Sequence, residues 1–163
     1  LVNTGMRPGT ETYNLKWKQV EEFESKNVKY IRFWVEGKTG RRELIARHNV
    51  RRYLDRIKAR FSKTEPNDYV FRLRSGKRTY SMNATFEELL KEADLLKDRR
   101  GETRTLYSLR HTYATFQILG GVDYHSLSVN MGTSISMLEK HYSHLTPTLA
   151  AKQLAGKQFP DRA

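Results

Sequence analysis

The chain contains no cysteine among its 163 residues. This absence excludes a disulfide scaffold and any zinc site built on thiolates, and it is compatible with the reducing cytoplasm, where we expect the protein. No 18 consecutive residues are apolar, so the sequence predicts no membrane-spanning helix. The first residues, LVNTG, contain neither Met nor a charged segment ahead of an apolar run. We therefore expect the cut end of a larger protein and not a signal peptide.

Motifs for metal and nucleotide chemistry are also missing. The sequence has no HExxH, no GxxxxGK[ST] and no GxGxxG pattern. Gly37-Lys38-Thr39 resembles the end of a phosphate-binding loop, but position 32 is Arg where that motif requires Gly. The histidines have no carboxylate cluster at ligand spacing beside them. The sequence therefore predicts neither a metal nor a cofactor.

Acidic residues are few relative to basic ones. The sequence contains eighteen Asp and Glu and thirty Lys and Arg, which gives a net charge of +12. The excess is concentrated between Lys38 and Lys63, where ten basic residues stand against Glu43 and Asp55, a local net of +8. Such a basic domain favours nucleic acid as the partner. An acidic membrane, an acidic protein or a purely solubilising surface are the alternatives.

Two periodicities divide the chain. Up to about Arg47, alternating β-branched and aromatic residues predict three strands, with residues 36–40 as a turn. Beyond that point the apolar spacing is helical. The predicted helices cover 49–61, 83–93 (with Asn83 as N-cap), 106–119, 124–131 and 134–144, and a last one begins near Pro147. We expect a mainly α fold with a small three-stranded antiparallel β-sheet near the N-terminus, in a single domain over residues 1–163.

Five separated side chains offer metal-free chemistry on a phosphate. Two arginines converging on one phosphate would clamp its non-bridging oxygens and neutralise charge developing there. A lysine on a hairpin tip would protonate a bridging oxygen, and a tyrosine would be a nucleophile that divides one transfer into two. The candidates are Arg7, Lys38, Arg110, His111 and Tyr142.

Each candidate also has a purely structural interpretation. Arg7 would be a turn arginine paired with Glu11, and Lys38 a solvated hairpin tip. Arg110 would form an ion pair with an acid, and Tyr142 would be a core tyrosine with a hydrogen-bonded hydroxyl. Taken singly, these interpretations outweigh the catalytic ones. The order and spacing of the residues decide between the two.

That order and spacing resemble a known family. Residues 4–11 (TGMRPGTE) are similar to the first arginine box of the tyrosine recombinases, the phage-integrase family, and residues 107–115 (YSLRHTYAT) to the second. Residues 131–134 (MGTS) followed by 141–144 (HYSH) resemble the end motif, with the nucleophile at Tyr142. Lys38 lies where the family has its hairpin lysine. The resemblance runs from residue 1 to about residue 150.

The resemblance implies a tyrosine-recombinase catalytic domain without its N-terminal core-binding domain, bacterial or phage-encoded and nucleoid-associated. Tyr142 would attack the scissile phosphate, forming a 3′-phosphotyrosine and a free 5′-hydroxyl without ATP. Tyr107 stands where the family often has His, and Thr133 where it often has His or Trp. Each can donate one hydrogen bond, but neither can act as an imidazole acid.

Double-stranded DNA is the partner that this resemblance implies. A C-terminal segment over 147–163 is the candidate contact with a second subunit, and a relaxing topoisomerase of type IB or a non-catalytic DNA-binding module of the same fold are the alternatives. Basic residues in two segments would hold backbone phosphates. These are Arg51, Arg52, Arg56 and Lys58 in one segment, and Arg72, Arg74, Lys77 and Arg78 in the other.

Overall fold

A computed structural model describes residues 1–37, 40–145 and 151–155, with the backbone alone at 152 and 153. The chain divides into two compact units, Leu1–Tyr113 and Ala114–Ala163. A single catalytic domain can consist of two such units, and so can a pair of domains. The single domain over residues 1–163 therefore stays a prediction. Within the described ranges, no helix combines the length and apolarity needed to cross a bilayer.

The first unit contains the expected antiparallel sheet, with strands β1 (Val20–Ser25), β2 (Val28–Gly37) and β3 (Gly40–Ile45) in the order β1-β2-β3. Lys26 and Asn27 join β1 to β2 with positive φ angles of 50° and 61°. Two such residues form the tight turn whose twist matches that of the strands it joins. β2 and β3 pair in register up to Gly37 and Gly40.

The solvent-facing side of this sheet carries a row of stacked cations and aromatic rings. The Arg32 guanidinium lies 4.9 Å from the Phe23 ring and 5.3 Å from the Trp34 ring, and the Arg41 guanidinium lies 5.2 Å from the Trp34 ring. Arg32 and the Trp34 indole both donate to Glu21. These hydrogen bonds lower the pKa of Glu21 to about 2.

The inward side of the sheet forms the core of the first unit. Phe33, Val35 and Leu44 are almost fully buried and pack with residues from outside the sheet. Helices α1 (Thr10–Tyr13) and α2 (Val50–Lys58) and a 3-10 turn (Trp17–Gln19) cover this side. The ammonium nitrogen of Lys58 lies 4.8 Å from the ring centre of buried Trp17. Apolar burial of this kind is the main source of stability.

Helix α3 (Asn83–Glu92) follows a long connection. Asn83 was predicted as its N-cap, but Met82 occupies that position and makes no side-chain capping hydrogen bond. The segment before α3 contains a tight turn: an antiparallel bridge joins Arg72 to Arg78, and Gly76 has a φ of 80°.

Helix α4 (Leu106–Leu119) has the predicted bounds, because Gly120-Gly121 ends it. In the second unit, α5 (Tyr124–Met131) packs against α6 (Ile135–Tyr142). Asp123 caps α5, and Gly132 ends it with a φ of 63°. A 3-10 turn (Ser143–Leu145) replaces the predicted end of α6, and α7 covers Ala151–Leu154.

Candidate active site

Arg7 lies in a short loop between two glycines, where three hydrogen bonds hold it. Gly5 and Gly9 have positive φ angles of 64° and 99°, which only glycine adopts at little cost. The Arg7 backbone N–H and its Nη1 donate to the two oxygens of Glu11, each at 2.8 Å. The Thr12 hydroxyl donates to the Arg7 carbonyl oxygen at 2.9 Å. The predicted pairing of Arg7 with Glu11 is therefore present.

Glu11 is a buried carboxylate with two arginine partners. Its side chain is 1% exposed, and Arg42 reaches it with both terminal nitrogens, at 2.6 and 3.0 Å. Burial alone would raise the pKa of Glu11. The hydrogen bonds from Arg42 and from Arg7 outweigh burial, so the pKa lies below its ordinary value. Glu11 is therefore ionised at neutral pH.

Gly37, the last residue of β2, lies directly against this carboxylate. A Cβ atom at position 37 would come within 2.7 Å of Oε1 of Glu11. Only a residue without a side chain permits that approach. The next residue is Lys38, and the prediction that it is the hairpin lysine concerns a position outside the described residues.

Arg110 is buried in the same unit. It is 3% exposed and donates to the carbonyl oxygen of Gly5, two residues before Arg7. Burial lowers the pKa of Arg110, the charges of Arg7 and Arg42 act in the same direction, and Glu11 opposes them. Three guanidinium groups and one carboxylate give this group a net charge of +2. Such a group attracts an anion.

Tyr107 lies one helical turn before Arg110, with the Arg110 guanidinium 6.0 Å from its ring centre. The exposed Tyr107 ring packs edge-on to His111, with ring centres 5.4 Å apart. It also lines a cavity of about 420 Å³ together with Pro8 and Phe86. Tyr107 thus borders the loop that carries Arg7.

Thr133 and Tyr142 belong to the second unit. Thr133 follows Gly132, and its N–H donates to the Ser128 carbonyl oxygen at 3.0 Å. Tyr142 is the last residue of α6 and is 7% exposed. Its carbonyl oxygen accepts a hydrogen bond of 3.3 Å from the Tyr124 hydroxyl. The burial matches the core-tyrosine interpretation, and the nucleophile assignment stays a prediction.

Arg42 is the residue that sequence reasoning missed. It shares the inward side of β3 with buried Leu44, two positions along the strand. A charged side chain at a core-facing position requires a partner of opposite charge. The alternation of inward and outward residues along β3 places Arg42 on that side, and this is the signal that identifies it. Its partner is Glu11, 31 positions earlier.

The predicted DNA-contacting side chains of α2 are all exposed. Arg51 forms an ion pair with Glu22. Arg52 stacks on the ring of Tyr53 at 4.8 Å and donates to its hydroxyl. Both guanidinium groups therefore lie at the surface, where Arg51 has a carboxylate partner and Arg52 an aromatic one.

The second basic segment is less uniform. Arg74 and Lys77 are exposed. Arg72 has a side chain only 9% exposed, forms an ion pair with Asp68 at 2.6 Å, and stacks on Phe61. This environment favours a structural role for Arg72. Arg78 donates to the side-chain oxygen of Asn14 and stacks on the Tyr80 ring.

The comparisons with known proteins agree with the family resemblance of the sequence. The pattern that defines the phage integrase family matches residues 1–148. The chain belongs to the phage integrase family. Its arginine loop, its hairpin strands and α4 to α6 all lie inside the matched range. A comparison with curated protein sequences finds no match. In the described part of this integrase-family chain, no three His, Asp or Glu side chains group as metal ligands.

Solved structures of tyrosine recombinases share the fold. The XerA recombinase has a TM-score of 0.69 at 23% identity, over 97% of this chain and 56% of that one. The XerH recombinase in a post-cleavage complex with a palindromic difH substrate has 0.67 at 18%, over 92% and 42%. The Tn1549 transposon integrase (residues 82–397) with circular intermediate DNA has 0.64 at 20%, over 95% and 56%. The integrase-family chain thus spans about half the length of these proteins.

Proposed function

We propose that this chain is the catalytic domain of a site-specific DNA recombinase that acts on double-stranded DNA. One observation carries the proposal: Arg7 and Arg110 are tied to the same short loop in a group of net charge +2. Two guanidinium groups fixed in this way suit the non-bridging oxygens of a phosphodiester. The family match and the DNA-bound XerH and Tn1549 integrase structures support the choice of DNA.

In the proposed reaction, the Tyr142 oxygen attacks the scissile phosphorus, and its phenolic proton leaves to solvent. A P–O bond to the tyrosine forms while the P–O5′ bond breaks, and its electron pair stays on the 5′-oxygen. Lys38 protonates that oxygen, since an alkoxide is a poor leaving group at neutral pH. Arg7 and Arg110 stabilise the negative charge that develops on the non-bridging oxygens.

A second DNA end then reverses these steps. Its 5′-hydroxyl attacks the phosphotyrosine, a new P–O5′ bond forms, and the tyrosine oxygen leaves. The energy of the phosphodiester is retained in the covalent intermediate, so the exchange needs no ATP. Tyr107 and Thr133 each contribute one hydrogen-bond donor where an imidazole is usual, so Lys38 carries the proton transfer alone.

We assign the contacts with backbone phosphates on either side of the cut to a set of exposed and partly exposed basic side chains. The set is Arg51, Arg52, Arg56 and Lys58 of α2, with Arg74, Lys77 and Arg78; Arg72 is left out because it is buried against Asp68. Such contacts position the duplex without reading its sequence. Self-association on DNA is assigned to the segment 147–163, most of which lies outside the described residues. We further propose that the protein, bacterial or phage-encoded, acts at the nucleoid in the cytoplasm.

The test is covalent trapping on a nicked suicide duplex, where the cut fragment diffuses away and the adduct accumulates. The wild-type chain is expected to form a gel-stable adduct. Tyr142→Phe removes the nucleophilic oxygen alone, so the adduct should vanish while duplex binding stays within about twofold. Tyr30→Phe, on the outer side of the sheet, is the matched control. An adduct formed by the Tyr142→Phe variant would refute the nucleophile assignment.

Two simple assays distinguish the proposed function from its two alternatives. Relaxation of supercoiled plasmid without strand exchange would identify a type IB topoisomerase. Duplex binding without any adduct in the wild-type chain would identify a non-catalytic DNA-binding module. The set Arg7, Lys38, Arg110 and Tyr142 favours a strand transferase over that module.

A further inference from the structure

The carboxylate of Glu11 is shared by two arginines in an uneven way. Arg42 holds it with both terminal guanidinium nitrogens, one to each oxygen. Arg7 uses one terminal guanidinium nitrogen, on Oε1, and its backbone N–H, on Oε2. The Arg42 side chain is 13% exposed and that of Arg7 is 27% exposed. Arg42 is thus the deeper and more fully engaged partner.

We propose that Arg42 is a positioning residue that supplies the counter-charge of Glu11, so that the positive charge of Arg7 acts on the DNA phosphate. This inference deepens the proposed function and rests on it. Arg42 does not touch the substrate in this proposal. It acts through Glu11 on the orientation and effective charge of Arg7.

The electrostatic argument follows from counting charges. With Arg42 present, Arg7, Arg42 and Arg110 face one carboxylate, and the group carries +2. Without Arg42 the group carries +1, and Arg7 becomes the nearest cation to a buried, ionised Glu11. A buried carboxylate attracts its remaining counter-ion strongly. Arg7, which already donates to Glu11 through Nη1, would then carry the whole counter-charge of that carboxylate, and its field at the phosphate would be largely cancelled.

The backbone gives Arg42 a second way to fix this loop. Arg42 lies on β3 opposite Val35 of β2, and Gly37 at the end of β2 packs against Oε1 of Glu11. Glu11 is therefore bound by a side chain from one hairpin strand and lies close to the backbone of the other. Through Glu11, the Arg7 loop is in contact with both hairpin strands.

The geometry requires arginine in particular. The planar guanidinium matches both carboxylate oxygens at once, whereas lysine presents a single point charge. Arg42→Lys keeps the counter-charge but loses the fork. It should therefore cleave at a rate between those of the wild-type chain and Arg42→Met. A lysine variant no better than methionine would contradict the charge argument.

The first measurement is the single-turnover rate of adduct formation on the nicked suicide duplex. We expect Arg42→Met to lower it by about 10- to 100-fold, by analogy with residues that orient the ligands of a metal site. The double variant Glu11→Gln with Arg42→Met restores the net charge of +2 and should recover about tenfold of that loss. All rates are taken per folded molecule, and on that measure a purely structural role predicts wild-type values in both variants.

The matched control is Arg41→Met. Arg41 is the neighbouring residue on β3, but it is exposed and stacks on Trp34 on the opposite side of the sheet. This variant removes the same charge from the same strand and leaves Glu11 untouched. Its rate should stay within about twofold of wild type, as is usual for an exposed charge. Equal losses in Arg41→Met and Arg42→Met would overturn the proposal.

The second measurement does not depend on cleavage. Inorganic phosphate is titrated into the folded variants, and the Arg7 side-chain N–H signals are followed by NMR. Arg42→Met should weaken phosphate binding by about tenfold, and the double variant should restore it. Unchanged affinity in Arg42→Met overturns the proposal even if the wild-type chain forms no adduct. Failure of the adduct assay with these phosphate results intact would refute only the proposed function.

Discussion

Arg110 donates a hydrogen bond to the carbonyl oxygen of Gly5, a residue 105 positions earlier in the chain. Arg7 follows Gly5 by two residues, so this single hydrogen bond ties the two arginine boxes together. A neutral carbonyl oxygen fixes a guanidinium without cancelling its charge. Arg110 is thereby buried and oriented while its positive charge remains in the group.

Replacing either arginine of the two boxes should affect cleavage more than folding. Arg7→Ala and Arg110→Ala are each expected to slow adduct formation by about 10²–10³, the effect of losing one preorganised charge stabiliser. Arg110→Ala should also cost about 1–3 kcal/mol, because it leaves the buried Gly5 carbonyl without its donor. Urea unfolding measures this change in the free energy of unfolding. Loss of cooperative unfolding in either variant would support the purely structural interpretation.

Gly37→Ala tests the close approach to Glu11. The new methyl group would meet Oε1 at 2.7 Å, so the carboxylate must move and Arg7 with it. Adduct formation should fall by about tenfold or more, in the range for displaced positioning groups.

Gly40→Ala is the control from the facing position of β3. Its Cβ meets nothing within 4 Å, but its φ of +92° strains any side chain. This variant should lose about 1 kcal/mol of stability and keep most of its cleavage rate per folded molecule. Equal rates in the two alanine variants would contradict a role for the Gly37–Glu11 contact.

Lys38 is tested by chemistry at the leaving oxygen. If it is the general acid, Lys38→Ala should slow cleavage strongly on ordinary DNA and little on DNA with sulfur at the 5′-bridging position, because a thiolate leaves without a proton. Both rates are measured in single turnover. Equal, small effects on both substrates would identify a solvated hairpin tip. Equal, large effects would mean that Lys38 binds phosphate or orders the hairpin.

The basic face of α2 should appear in the salt dependence of binding. If its four cations contact four phosphates, log K should fall with log salt at a slope of about −3.6. Charge reversal at Arg52 and Arg56 should reduce the slope to about −1.8. Reversal at exposed Lys91 and Lys97 is the control with the same change in net charge. An unchanged slope in the Arg52/Arg56 variant would assign the DNA face elsewhere.

Glu21 makes folding sensitive to acid. Its pKa is about 2 in the folded chain, because Arg32 and the Trp34 indole donate to its carboxylate, against an ordinary value of 4.5. A lowered pKa contributes stability above the ordinary value, and that contribution is lost as pH falls towards 2. As pH is lowered from 4.5 to about 2, the melting temperature of the wild-type chain should fall more steeply than that of Glu21→Gln. Glu24→Gln on the same strand is the control; a parallel fall in both variants would contradict the assignment.

Local signals in the sequence were enough to predict most of the elements. The Gly120-Gly121 pair fixed the end of α4, and the αL residue Gly132 fixed the end of α5. Asparagine is a residue type that favours the N-cap, which predicts Asn83 in that position, yet α3 begins one residue earlier than this implies. Helix ends are decided by backbone hydrogen bonds that residue type indicates only loosely.

The arginine group was predicted only in part. Arg7 and Arg110 stand in recognisable boxes, and Glu11 is near Arg7 in sequence. Arg42 needs the register of β2 with β3 and the packing of α1 on the sheet before its partner is evident. Contacts between residues far apart in the chain depend on tertiary packing, which no local pattern encodes.

Both tryptophans of the chain, Trp17 and Trp34, lie in the unit Leu1–Tyr113. Indole fluorescence therefore reports directly on that unit, and Ala114–Ala163 has no tryptophan of its own. A substitution at Tyr142 that unfolded the second unit alone would escape this probe and would pass for a clean catalytic variant. Loss of helical circular dichroism, or the signal of a tryptophan introduced at exposed Phe116, is the spectroscopic check that distinguishes a lost nucleophile from a lost fold.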